Sequence, residues 1–204
     1  VTGFPEVQPL IKEADERTGH VFGSGWHTDS PFLAEPPAIS ILRSVQIPPF
    51  GGDTIWANSA LAYATLSDTM KTMIEPLRAR FSIGQVLQSA QSYGTPSDSP
   101  TGKLAATRDG RALSDELQRK IAGNSHPLVR THPRSGEKAL YCDGSYAVGF
   151  DGLSAPEAKA LLDFLVAHMT QPAFTCRLRW EPDMFVMWDN RLCIHQAFND
   201  YDGY

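Results

Sequence analysis

The sequence predicts a mainly β fold with flanking helices, of the double-stranded β-helix or jelly-roll barrel type. Many short apolar or alternating runs are separated by turn residues, and few segments have helical periodicity. Candidate metal ligands at His27, Asp29 and His195 lie far apart in the sequence, so they meet only if distant strands become neighbours in a closed sheet. A jelly-roll barrel satisfies both observations because it closes its own sheet edges.

Two strands are predicted in the N-terminal part. Residues 36–45 alternate between two sets of side chains, which is typical of a half-buried strand, with Pro37 at its start. A turn is expected over 47–52, where a glycine pair permits backbone conformations closed to other residues. The next strand then directs Thr54 and Trp56 to one side, because side chains two apart on a strand share a face.

Helices and a long polar segment follow. Helices are expected at 59–64 and 67–80, with Pro76 breaking or kinking the second. Residues 84–123 are rich in Gln, Ser, Thr, Pro, Gly and Asp, and contain a short helical stretch at 114–121. Because a long polar insertion in a compact domain is typically a functional lid or disordered, we expect 84–123 to form a lid insertion.

The C-terminal part combines strands with one helix. The capping box Ser154-Ala155-Pro156-Glu157 predicts the start of this helix. The expected elements are strands at 127–132 and 139–142, a helix at 154–168, a half-buried strand at 174–180 and an apolar strand at 184–188 that leads toward the distal histidine.

The spacing of His27 and Asp29 indicates a metal site. On an extended chain, side chains two residues apart leave the same side and can reach one ion. None of the other five histidines has a carboxylate two residues later. Two histidines and one carboxylate can hold one face of a ferrous ion and leave the opposite face for a cosubstrate and dioxygen. With His195 as third ligand, the sequence predicts a non-haem iron enzyme.

Four separated sequence blocks surround these ligands, and in their order the chain resembles the TauD/TfdA family of Fe(II)- and 2-oxoglutarate-dependent dioxygenases. The resemblance covers essentially the whole chain. The blocks are Trp26-His27-Thr28-Asp29-Ser30-Pro31-Phe32, Gly51-Gly52-Asp53-Thr54-Ile55-Trp56-Ala57-Asn58, His126-Pro127-Leu128-Val129-Arg130-Thr131-His132-Pro133, and the segment 188–201 that contains Trp188-Asp189-Asn190-Arg191 and His195.

The resemblance implies a fold, a reaction and residue roles. It implies the jelly roll, and hydroxylation of a small organic acid of the sulfonate, alkyl sulfate or aryloxyalkanoate type, with O2 as reactant and succinate and CO2 as coproducts. From propensity alone Thr54 is an ordinary strand residue, and tryptophans can pack a core. The implied roles are catalytic iron ligation by His27, Asp29 and His195, binding of the 2-oxoglutarate cosubstrate by Thr54, and lining of the site by Trp56 and Trp188.

The resemblance is incomplete at both ends. The family has an arginine a little beyond the distal histidine that pairs with the distal carboxylate of 2-oxoglutarate, a geometry suited to an arginine fork. The sequence stops at Tyr204, and Arg191 precedes His195 and does not match that position. The sequence also opens at Val1 without methionine. We expect a single dioxygenase domain over 1–204 that lacks the family's N-terminal segment and C-terminal strand.

Composition narrows the class of protein. The chain has 204 residues, 42% of them hydrophobic, and a net charge of −5, which predicts a soluble domain with one core. Scattered basic residues and mild acidity argue against a nucleic-acid partner, and the absence of an apolar run of membrane-spanning length argues against a membrane partner. A cytoplasmic location is the default expectation, and a homo-oligomer stays open.

Other classes of protein remain open on the sequence alone. A hydrolase could use the same three ligands to hold zinc and activate water, and a silent barrel could only bind small ligands. Cys193 lies two residues before His195, which raises the hypothesis of a cysteine nucleophile activated by histidine. No third orienting group supports that hypothesis. The three cysteines form no Cys-x-x-Cys pair, so neither a disulfide framework nor a zinc ribbon is supported. Surface or structural use is expected for the histidines without a paired ligand, His20, His126, His132 and His168.

Overall fold

The computed structural model describes residues 7–12, 23–84, 86–87 and 115–201. Its regular elements in this part of the chain are mostly short strands, as predicted. The strands are β1 (Ile39–Arg43), β2 (Thr54–Asn58), β3 (Arg78–Phe81), β4 (Asn124–Pro127), β5 (Val129–Thr131), β6 (Lys138–Leu140), β7 (Ala147–Phe150), β8 (Thr175–Leu178), β9 (Phe185–Asp189) and β10 (Cys193–Ala197). The helices are α1 (Ser59–Thr65), α2 (Asp68–Ile74), α3 (Asp115–Ala122) and α4 (Ala155–Met169), with a 3-10 turn at Pro172–Phe174.

The strands form four small antiparallel sheets, ordered β1-β9, β10-β2-β8, β4-β3-β7 and β5-β6. Strands distant in the sequence are paired in three of these sheets: β1 with β9, β2 between β8 and β10, and β3 between β4 and β7. The prediction of a mainly β fold with a few helices is therefore confirmed. Among the described residues the four sheets do not join into a closed barrel.

The helices start where local sequence predicts. The side chain of Asn58 accepts a hydrogen bond from Leu61 N at the start of α1, and the Ser67 hydroxyl caps α2. At the start of α4, the carboxylate of Glu157 accepts from Ser154 N at 2.8 Å, which confirms the capping box. These contacts satisfy amide groups that have no partner within the helix.

The helix predicted over 67–80 extends too far, because its last residues form a strand in the structure. It ends at Ile74, and the residues from Arg78 onward form β3, the central strand of its sheet. Pro76 lacks an amide hydrogen and interrupts the helical pattern. Beyond it, two exposed arginines alternate with buried Ala79 and Phe81, which is the period of a half-buried strand. The helix prediction was therefore wrong for this final segment.

Other boundaries shift by a few residues. The strand expected at 127–132 is divided at the fully buried Leu128, and the strand expected at 174–180 spans only Thr175–Leu178. The strand β7 had no sequence prediction. Most of the expected lid at 84–123 lies outside the described residues, so the lid stays a prediction; its short helix is observed at Asp115–Ala122.

The core lies between the sheets and the two helices that cover them. Helix α1 packs against β6, and α4 packs against β7. The fully buried core side chains include Phe81, Leu140, Tyr141 and Leu165. Burying aromatic and aliphatic groups of this size is the main favourable term in folding. Among the described residues, no helix combines the length and apolar character that crossing a bilayer requires.

Candidate metal centre

A two-residue bridge brings the distal histidine to the N-terminal ligand pair. His27 N donates a hydrogen bond to His195 O at 2.9 Å, and His195 N donates to His27 O at 2.7 Å. This isolated antiparallel bridge lies beside the sheet β10-β2-β8. It explains how two histidines at opposite ends of the described chain come to be neighbours, and their ring centroids lie 4.1 Å apart.

The three predicted ligands converge on one point. Asp29 Oδ1 lies 3.7 Å from His27 Nε2 and 3.7 Å from His195 Nε2. One donor atom from each residue lies within 4.8 Å of the other two, and no other group of three such residues is found in the described ranges. Two donors on one face of an ion, each about 2.1 Å from it and about 90° apart, are separated by about 3.0 Å. Small side-chain movements therefore bring all three donors onto one ion.

The surroundings of both histidines suit metal ligation. His27 Nδ1 lies 2.8 Å from Gly25 O, and a carbonyl only accepts, so Nδ1 donates this bond and Nε2 is the nitrogen that faces Asp29. Burial lowers the pKa of His195 to about 3; the nearby His27 adds to this, and Asp29 opposes it. A neutral imidazole is the form that ligates metals. The donor set thus fits a divalent transition metal such as Fe(II).

The predicted aromatic residues surround His195. Trp56 lies opposite His195 in the β2–β10 register, and their rings stack with centroids 6.4 Å apart. The Trp188 ring lies 4.8 Å from the His195 ring and 5.7 Å from the Trp56 ring. Both tryptophans therefore form a wall beside this candidate ligand, with apolar surface that excludes water.

Thr54 lies further along the same face. It pairs with Ala197 across β2 and β10, two residues on from the Trp56–His195 pair, and it is buried. Its hydroxyl oxygen accepts a hydrogen bond from Trp180 Nε1 at 3.0 Å. Because a hydroxyl also has one hydrogen to donate, Thr54 can offer that hydrogen to an anionic ligand. Its position on the ligand face is compatible with the predicted contact to 2-oxoglutarate.

Several residues with candidate chemistry point elsewhere. Arg191 forms an ion pair with Asp189 at 2.6 Å, and His132 Nε2 lies 3.1 Å from the same carboxylate. His126 bonds backbone carbonyls, as does His168, whereas His20 lies outside the described residues. None of these described side chains joins the three-ligand group.

The cysteine–histidine nucleophile is not favoured by the surroundings of Cys193. Its thiol donates to Asp189 O at 3.2 Å. Burial raises the pKa of this thiol to about 12, and the charges of Asp189 and Asp29 add to the shift. A reactive cysteine requires a thiolate, which such an environment suppresses. Its approach to His195 is therefore a consequence of their position on one strand.

Sequence reasoning missed the residues that support the ligands. Asp143 is fully buried, and its carboxylate accepts from Thr28 N at 3.3 Å and from the backbone of Tyr146 at 2.6 Å. Burial raises its pKa, and backbone hydrogen bonds oppose the shift. Ser40 and Asn190 also contact the ligand segment. The sequence did contain a signal for each residue. Asp143 is a polar residue directly after a predicted strand, Ser40 lies in the alternating run 36–45, and Asn190 lies within one of the family blocks.

Comparisons with known proteins identify the family of this chain. The profile described as "Taurine catabolism dioxygenase TauD, TfdA family" matches residues 2–204. The chain is 35% identical over 178 residues to the alpha-ketoglutarate-dependent sulfate ester dioxygenase of Pseudomonas putida, covering 87% of this chain and 55% of that protein. It is 32% identical over 208 residues to the alkylsulfatase of Acinetobacter baylyi, covering 98% of this chain and 62% of that protein. It thus spans less than two thirds of either relative.

A solved structure has a similar fold. The crystal structure of AAD-2 in complex with Mn(II) and N-oxalylglycine superposes with a TM-score of 0.72 at 31% sequence identity, covering 89% of this chain and 58% of that chain. The family profile spans nearly the whole sequence, and both named relatives exceed 30% identity. The chain therefore belongs to the TauD/TfdA family.

Proposed function

We propose that this chain carries the iron site of an Fe(II)/2-oxoglutarate-dependent dioxygenase that hydroxylates a small organic acid. The observation that carries the proposal is the convergence of Asp29 Oδ1 with the Nε2 atoms of His27 and His195. When bound, Fe(II) and 2-oxoglutarate supply the oxidising chemistry, in which O2 is consumed, 2-oxoglutarate becomes succinate and CO2, and a substrate C–H becomes C–OH. Family membership supports this assignment.

The protein's own residues supply binding and shielding. His27, Asp29 and His195 hold the metal from one side. Thr54 donates its hydroxyl hydrogen to the distal carboxylate of 2-oxoglutarate, and its oxygen is kept in place by Trp180. Trp56 and Trp188 exclude water from the face beside His195. These groups act by positioning the reactants rather than by taking part in bond changes.

The substrate class is proposed from the relatives. Two similar proteins are described as a sulfate ester dioxygenase and an alkylsulfatase, which favours an alkyl sulfate among the sulfonate, alkyl sulfate and aryloxyalkanoate types. Hydroxylation at the carbon that bears the sulfate oxygen gives an unstable product. Its C–O bond to sulfate breaks as the new hydroxyl loses its proton, and the products are an aldehyde and hydrogen sulfate.

We also propose that the sheets belong to a double-stranded β-helix formed as one domain over 1–204. Support comes from the antiparallel pairing of strands that are distant in the sequence, β1 with β9 and β2 with β8 and β10. The similarity to the AAD-2 structure points the same way. In such a fold, sequence-distant ligands become neighbours because the chain returns repeatedly to the same sheets.

The test is an anaerobic titration of Fe(II) and then 2-oxoglutarate into the 204-residue chain, followed by the visible charge-transfer band of the chelated keto acid. The expected result is a saturable band, and succinate formation on adding O2 with an alkyl sulfate. A taurine-like sulfonate and an aryloxyacetate serve as comparison substrates. A second chain is extended through the family's C-terminal strand with its arginine. Binding of Fe(II) without any band in both chains would contradict the proposal. Zn(II)-dependent ester hydrolysis without 2-oxoglutarate would favour the hydrolase instead.

A further inference from the structure

The two carboxylate oxygens of Asp29 have different surroundings. Oδ1 faces the Nε2 atoms of both histidines at 3.7 Å. Oδ2 accepts a hydrogen bond from the hydroxyl of Ser40, a half-buried residue on β1. One oxygen is therefore available to an ion, whereas the other is already engaged by a side chain from another element.

Asn190 sets the direction of the Ser40 hydroxyl. Trp188 Nε1, which can only donate, bonds Asn190 Oδ1 at 3.0 Å and thereby fixes the orientation of the amide. Asn190 Nδ2 then donates to Ser40 Oγ at 2.8 Å. Since Ser40 Oγ accepts this bond, its own hydrogen is left for Asp29 Oδ2. The donor direction is thus determined at every step from Trp188 to Asp29.

The strand register keeps this series of hydrogen bonds in place. Ser40 and Trp188 are directly opposite in the β1–β9 pair. Asn190 follows β9, is 1% exposed, and donates its backbone amide to Ala38 O at 2.9 Å. A buried side-chain amide that is bonded through both Oδ1 and Nδ2 has little freedom to rotate, because each lost partner leaves an unsatisfied polar group. Ser40 is consequently held in one position relative to Asp29.

We propose that Ser40 is a positioning residue that holds Asp29 with Oδ1 toward the metal. Its hydroxyl, oriented by Asn190, retains Oδ2, so the carboxylate cannot rotate away from the two histidines and presents Oδ1 as an oriented ligand. The inference rests on the proposed function insofar as it takes the three-ligand group to bind metal.

The test uses Mn(II) binding, followed by the loss of the free-ion electron paramagnetic resonance signal, with thermal unfolding measured on every variant. Removal of a partner outside the ligand shell typically weakens metal binding about 10- to 100-fold. We expect a loss of this size for Ser40→Ala, and affinity close to wild type for Ser40→Thr, which retains the hydroxyl. Ser40→Val has nearly the shape of Ser40→Thr without the hydroxyl, and it is expected to bind as weakly as Ser40→Ala.

Ser44→Ala is the matched control. Ser44 follows the same strand and is buried, and its hydroxyl donates to Glu181 O and accepts from Met184 N at 2.9 Å. It anchors the same pair of strands without touching Asp29. The control should therefore lower the unfolding temperature without weakening Mn(II) binding.

The outcomes separate this inference from the proposed function. Unchanged Mn(II) affinity in Ser40→Ala would overturn the positioning role and leave the metal site standing. The positioning role would also be overturned if Ser40→Ala and Ser44→Ala both lost Mn(II) affinity in proportion to their loss of unfolding temperature. The role of Ser40 would then be structural. If Ser40→Ala does not fold, the comparison of Ser40→Thr with Ser40→Val replaces it. Equal Mn(II) affinities of these two variants would overturn the positioning role. If the wild-type chain binds no Mn(II), the proposed function itself is refuted.

Discussion

Asp189, at the end of β9, should contribute acid-sensitive stability to the turn that leads to His195. Its carboxylate accepts hydrogen bonds from Arg191 Nε at 2.8 Å, from the Arg191 backbone at 2.9 Å and from His132 Nε2 at 3.1 Å. Burial opposes ionisation, but the hydrogen bonds from Arg191 and His132 outweigh it and lower the pKa of Asp189 to about 2. We therefore expect Asp189→Asn to destabilise the folded chain.

The size of the effect follows from the pKa shift. An ordinary aspartate has a pKa near 3.8, so the shift to about 2 corresponds to about 2 kcal/mol at 1.36 kcal/mol per pKa unit. Since the folded-state pKa is the lower one, this stability is fully present above about pH 4 and is lost as the pH falls toward about 2. At neutral pH, Asp189→Asn should lower the unfolding temperature by about 4 to 8 °C.

The assay is denaturant unfolding of wild type and Asp189→Asn at a series of pH values. The difference in free energy of unfolding should be about 2 kcal/mol at neutral pH and should shrink below about pH 4. Asp183→Asn is the control, because its ion pair with Arg43 is exposed and such pairs contribute about 0 to 1 kcal/mol. A difference that is constant across the whole pH range would refute the linkage argument.

Three further sets of variants test the metal site, the cosubstrate contact and the backbone. Replacing either ligand histidine by alanine should abolish Fe(II) binding at stoichiometric metal, whereas His168→Ala should not; equal loss would defeat the ligand assignment. Thr54→Val should weaken 2-oxoglutarate binding about fivefold, measured by the charge-transfer band, since one hydrogen bond contributes about 1 kcal/mol; unchanged affinity would exclude the contact. Gly123→Ala, with φ at +69° and an added Cβ 1.7 Å from Phe81 O, should destabilise the chain far more than Gly136→Ala, which has open space; equal melting temperatures would contradict this.

Local features of the sequence were sufficient for much of the fold. The capping box of α4 was predicted because it depends on residues three positions apart. The segment from Arg78 to Phe81 was assigned wrongly to a helix, and its place as a central strand depends on partners in β4 and β7. Pairing between distant segments overrides local propensity when it buries side chains such as Phe81.

The candidate site also combines residues that the sequence predicts with residues that it does not predict. The proximity of His27 and Asp29 could be predicted because their spacing directs both side chains to one side of the chain, and His195 followed from the resemblance of its surrounding block. The roles of Ser40 and Asn190 could not, since a serine in an alternating run and an asparagine in a turn have many other uses. Their contacts exist only once β1 lies beside β9.

The sequence by itself determined which residue types meet at the candidate site, two histidines and one carboxylate, together with the family blocks around them and the starts of several helices. These follow from residue type and short spacing, which act locally. The tertiary structure alone decided which oxygen of Asp29 faces the histidines and which is held by Ser40. That choice depends on hydrogen-bond directions between residues up to 150 positions apart, and only strand pairing brings them within reach.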